Sequence, residues 1–126
     1  MGLMKLLPMV AFMGGGYATN DGVKEKVEKI INYTKVVAVQ YEINNLSKMV
    51  YMDTLDNTQP KPEQFAAYIH RSTLQKVNSD RDPSKDFWGS PYKLKYEESK
   101  KRFVITSAGP DTKFGTGDDV RGGYHY

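Results

Sequence analysis

The sequence predicts an α+β domain in which a long N-terminal helix packs against a small antiparallel β-sheet, with a short second helix in between. Two observations carry this. Apolar residues recur every three or four positions from Val27 to Val50, and neither proline nor glycine interrupts Val23 to Asp56. Later, Tyr92-Lys-Leu-Lys-Tyr96 alternates and Phe103-Val-Ile-Thr-Ser107 concentrates apolar residues in strand-length runs. A period near 3.6 marks a helix face, and a period of two marks a strand with one buried side. At 126 residues the chain has room for one modest core.

Composition narrows the function classes. Hydrophobic residues make up 39% and charged residues 26%, with a net charge of +3. That balance is ordinary for a soluble domain and too weakly basic to indicate nucleic acid. Lys100-Lys101-Arg102 precedes an apolar strand and reads as a solvated turn. Cysteine is absent, which removes disulfides, thiolate metal sites and a thiol nucleophile, and leaves the redox compartment open.

Residues 1–22 read as a leader, and residues 23–126 as the folded domain. Lys5, the apolar run Leu6 to Met13 and the small-x-small ending at Gly16 and Ala18 have the outline of a secretory signal, which implies an extracytoplasmic location. The run is too short for a bilayer-spanning helix of about 20 residues. A flexible leader, a cloning-derived start or an apolar arm packed on a partner chain are competing readings. Gly14-Gly15-Gly16 is not a phosphate loop, because no Gly-Lys-Ser/Thr follows.

Asn20 or Asp21 supplies the helix N-cap. The expected apolar face is Val27, Ile30, Ile31, Thr34, Val37, Ala38, Tyr41, Asn45, Leu46, Met49 and Val50. Val36, Val39 and Ile43 fall off that stripe, so the middle of the helix is apolar nearly all round. One side then suits burial under the sheet and the other contact with another protein. Asp56-Asn-Thr-Gln-Pro-Lys-Pro62 breaks the chain, and Pro62-Glu63 opens a second helix to about Leu74 with Phe65, Ala66, Ile69 and Leu74 inward. Val77 to Lys85 is a polar loop. His70 sits exposed in the second helix, and with His125 as the other histidine no His-based metal or catalytic site is expected.

Asp86-Phe-Trp-Gly-Ser-Pro-Tyr92 is a turn whose aromatics anchor it to the core. The two strands form a hairpin across Glu97 to Lys101, with Tyr92, Leu94 and Tyr96 on the face toward the long helix and the lysines opposite. Val120 to Tyr126 allows a short final segment.

Between them lies Ser107-Ala-Gly-Pro-Asp-Thr-Lys-Phe-Gly-Thr-Gly-Asp-Asp-Val120. It gathers Asp111, Asp118 and Asp119 among glycines that permit sharp turns. Oxygen ligands without cysteine or a nearby histidine suit a hard cation, and Ca²⁺ takes about six to eight of them. The competing reading is a polar hairpin connection with its acids in water. An enzyme is not expected: Asp118 and Asp119 adjoin in one loop, and no nucleophile–base motif is present. No EF-hand spacing occurs either.

The order of elements and two motifs resemble the C-terminal domain of the major pseudopilin of type II secretion systems. The turn Asp86 to Tyr92 is similar to that family's Asp-Pro-Trp-Gly-Asn-Pro-Tyr. Ser107-Ala-Gly-Pro-Asp111, closed by Asp118-Asp119-Val120, resembles its Ser-Leu-Gly-Ala/Pro-Asp loop ending in Asp-Asp-Ile. The match runs from about Val23 to Val120, specific near the end and architectural before it. The resemblance implies a pilin-like fold and side-chain calcium ligands at Asp111, Asp118 and Asp119. It also implies backbone carbonyl ligands near Ala108, Lys113 and Thr116, although Thr112 stands where the family has glycine. The family's processing site and membrane-crossing segment are not matched, and Lys5 replaces its glutamate.

The resemblance implies a structural assembly module that contacts other proteins, including other pseudopilins or copies of itself in a filament. The alternative is a secreted or periplasmic stand-alone calcium-dependent module that binds a protein or sugar through the loop or through Trp88, Tyr92 and Tyr96.

Overall fold

The computed structural model describes residues 21–72 and 81–126. The expected leader up to Asn20, Leu74 and the start of the polar loop at Val77 lie outside the described residues. Helix α1 spans Asp21–Leu55, a 3-10 turn covers Pro62–Gln64, and helix α2 spans Phe65–Ser72. Strands β1 (Lys93–Glu97), β2 (Arg102–Ser107) and β3 (Val120–His125) form one antiparallel sheet in the order β1-β2-β3. The chain is therefore α+β, as expected. Among the described residues, no helix is long and apolar enough to cross a membrane.

Two compact units divide the chain after Val37. In the first, the described residues are helical, with Ile31 and Tyr33 exposed and the Thr34 hydroxyl donating back to the Ile30 carbonyl at 3.0 Å. The second unit, from Ala38 onward, holds the sheet, α2 and the remainder of α1.

The helix face that enters the core of this second unit corrects the expected stripe. Val39, Ile43, Leu46 and Val50 are buried, at i, i+4, i+7 and i+11. Tyr41, expected inward, is 68% exposed, and Asn45 is exposed as well. Two apolar series overlap on this helix, and periodicity cannot rank them. The sheet selects the one that clears its backbone. A Cβ at Gly122 would lie 2.7 Å from Ile43 Cγ2, so the missing side chain on β3 makes room for Ile43. The Gln40 amide fixes the same approach by donating to the Arg121 carbonyl at 3.2 Å.

Strand alternation holds. Leu94 on β1 faces the core across from Ile105, and Phe103, Ile105 and Ser107 form the buried side of β2. Tyr92 is buried just before β1, while Tyr96 is half-buried and donates its hydroxyl to the Pro60 carbonyl at 2.6 Å. The short final segment of the sequence reading is a full strand, paired from Ser107↔Val120 to Arg102↔His125. The basic run spans the turn between β1 and β2: Lys100 ends a 3-10 turn, Lys101 has φ 53°, and Arg102 opens β2 ion-paired to Glu97.

The second helix begins later than expected, because its first residues form a 3-10 turn behind Pro62. Phe65 and Ile69 are buried as expected, joined by Tyr68. Ala66 is exposed instead. Tyr68 donates to Asp53 Oδ2 at 2.5 Å, which ties α2 to α1. Burial, then this carboxylate partner, pushes the Tyr68 hydroxyl well above its usual pKa.

Candidate calcium loop and its anchor

The loop joins the paired ends of β2 and β3, so Ala108 and Asp119 start close together across the Ser107↔Val120 pair. One residue further in, the two arms touch. Gly109 adopts φ +80°, and a Cβ there would sit 2.1 Å from the Asp118 carbonyl oxygen. Only glycine meets both demands. The loop is therefore pinched at its neck, with Ala108 fully buried and Gly109 buried beside it.

Beyond the neck, short side-chain bonds hold the turns. Asp111 Oδ1 accepts the Lys113 N–H at 3.0 Å, and the Thr116 hydroxyl donates to the Lys113 carbonyl at 3.3 Å and accepts the Asp118 N–H at 3.2 Å. The Thr116 hydroxyl, and next the Lys113 N–H, hold the Asp111 carboxyl below its ordinary pKa. Asp111 is half-buried and Asp118 exposed.

Asp119 differs. Its side chain is only 3% exposed. Oδ2 accepts the Gly115 N–H at 2.9 Å and lies 3.4 Å from Arg121 Nη2, while Oδ1 is buried with no hydrogen-bond partner. A buried acceptor left unpaired carries a desolvation penalty of about 1–3 kcal/mol, and more when it is charged. A hard cation such as Ca²⁺, which takes oxygen ligands, is one partner that would satisfy it.

The six expected ligand positions lie in one loop by sequence alone, and the structure does not gather the three carboxylates. Among the described residues, no group of three or more acidic or histidine side chains is close enough to hold a metal ion. A cation would have to draw Asp111 and Asp118 toward Asp119.

Thr112 has φ 57°, in the left-handed region where a β-branched residue is strained. This is the position where the pseudopilin pattern has glycine. Thr112→Gly should stabilise the protein by about 1 kcal/mol, strain relief outweighing glycine's extra chain entropy. The check is an upward shift in melting temperature.

In the sequence Asp86 is only the first residue of a turn; in the structure it is also an anchor. Asp86 is 1% exposed. Its Oδ1 accepts the N–H groups of Trp88 and Ser90, both at 2.9 Å, and its Oδ2 accepts the Ser107 hydroxyl at 2.6 Å. The turn is therefore bolted to the end of β2 where the acidic loop begins. An aspartate opening a Trp-Gly-Ser-Pro turn was the available signal; its partner 21 residues on was not visible.

Two further polar clusters lie outside the loop. Glu42 accepts from Tyr92 and pairs with Arg81, whose guanidinium stacks 4.0 Å from the Phe87 ring centroid. His70 pairs with Asp82 at 3.0 Å, and the Ser84 hydroxyl and N–H are the main reasons that carboxyl is lowered. Comparison of the chain with family models, curated proteins and solved structures finds no match.

Proposed function

We propose that this chain is a non-enzymatic structural subunit or assembly module, similar to the major pseudopilin of a type II secretion system. Its C-terminal loop is stabilised by Ca²⁺, and it works outside the bacterial cytoplasm through contacts with other proteins or with copies of itself. The observation that carries the reading is the buried, unpartnered Oδ1 of Asp119, inside a loop pinched shut at Gly109 and Asp118. Asp111, Asp118 and Asp119 would supply the charge, and the carbonyls of Ala108, Lys113 and Thr116 would complete the set. Bound Ca²⁺ would neutralise the acidic side chains and cross-link the two arms of the loop.

The alternative, a secreted or periplasmic stand-alone calcium-dependent module that binds a protein or sugar, has less support from its aromatics. Tyr92 is buried and Trp88 and Tyr96 are only half-exposed, so the three do not form a fully exposed aromatic surface.

Calorimetry of the full chain in CaCl₂ and in excess EGTA tests the proposal. The chelator should lower the melting temperature, and Asp118→Ala should remove the difference between the two conditions. Superimposable wild-type melts would sink the calcium assignment.

A further inference from the structure

Ser107 occupies the junction between the buried Asp86 and the loop. Its hydroxyl proton is committed to Asp86 Oδ2 at 2.6 Å, which leaves the oxygen as an acceptor, and that oxygen receives the Gly109 N–H at 3.2 Å. The Gly109 N–H and the Ala108 C=O belong to one planar trans peptide. Holding the N–H therefore fixes the direction of the carbonyl at the other end. The same Asp86 carboxylate holds the backbone N–H of Trp88 through Oδ1. One chain of hydrogen bonds thus runs from the tryptophan turn, through Asp86 and Ser107, to the peptide that opens the acidic loop. Gly109 in turn abuts the Asp118 carbonyl. Asp86, Ser107, Ala108 and Gly109 are buried, so water does not compete for the links among them.

We infer that Ser107 is a positioning residue for the calcium loop: with Asp86 it aims the Ala108 carbonyl and couples the state of the loop to the turn that carries Trp88. This rests on the calcium reading above and adds to it a residue that is not a ligand. Partners behind a ligand commonly contribute about 10–100-fold to metal affinity.

Titration of the full chain with CaCl₂, by calorimetry and by Trp88 emission, tests this. Trp88 is the only tryptophan, so emission reports the far end of the relay. Ser107→Ala should weaken Ca²⁺ affinity about tenfold and abolish the calcium-dependent change in emission. Ser107→Thr, which keeps the hydroxyl, should restore both. Wild-type protein that binds no Ca²⁺ overturns the calcium reading and this inference with it. Wild-type protein that binds Ca²⁺, beside a Ser107→Ala variant with the same affinity and emission response, overturns this inference alone. If Ser107→Ala does not fold, amide NMR of the wild type decides. Calcium-induced shifts should extend from the loop to the Trp88 and Ser90 amides, and shifts confined to residues 108–119 overturn the coupling.

Discussion

Asp86→Ala is expected to destabilise the protein by about 3–5 kcal/mol, a large share of the stability of a domain this size. The substitution removes one acceptor side chain and strands three donors: the N–H groups of Trp88 and Ser90 and the hydroxyl of Ser107. Each loses its partner where solvent does not reach the carboxylate, and each stranded donor costs about 1–3 kcal/mol before relaxation. Asp86→Asn should fall between the two, since an amide oxygen serves some of the donors and its NH₂ group opposes another. Urea denaturation of both variants beside the wild type measures the loss. A cost below about 1 kcal/mol for the alanine variant would mean that water replaces the carboxylate and that the anchor is dispensable.

Asp119→Asn should separate the two roles of a buried carboxylate. In EGTA the variant should be about as stable as the wild type. The amide can still accept the Gly115 N–H and relieves the burial of a charged oxygen, Oδ1, that has no partner, while the exposed Arg121 loses an ion pair of small worth. In CaCl₂ the wild type should be the more stable. At a calcium concentration about 100 times the dissociation constant, binding adds about 2.7 kcal/mol to the wild type, a rise of roughly 10 °C in a chain of this length. The variant should lose nearly all of it. A variant that melts like the wild type in both conditions would remove Asp119 from the ligand set. One that is much less stable in EGTA would show that its carboxylate is a plain structural acceptor.

Much of the architecture was legible because local signals agreed. The α1 pattern, the proline that opens the second helical segment and the alternation through Tyr92, Leu94 and Tyr96 each specify their element within a short window. The choice of helix face was not legible. Val39 and Ile43 compete with Tyr41 and Met49 as inward-facing candidates, and Gly122, about 80 residues later in the chain, leaves the room that Ile43 occupies. The site divides the same way. Its acidic residues and glycines stand out in the sequence. The burial of Asp119, the strain at Thr112 and the link from Asp86 to Ser107 are products of tertiary packing, and no spacing rule encodes them.

The neck formed by Gly109 and Asp118 has a consequence for how such a chain can vary. Because the arms meet there, the Ser107–Val120 end of the sheet is closed before residues 110–117 begin. Strand register is thus insulated from whatever the loop tip contains, and lengthening the tip adds little closure entropy. The tip is a cassette on a fixed clasp, so residues added there outside the proposed ligand positions Asp111, Lys113 and Thr116 should leave the sheet beneath unchanged.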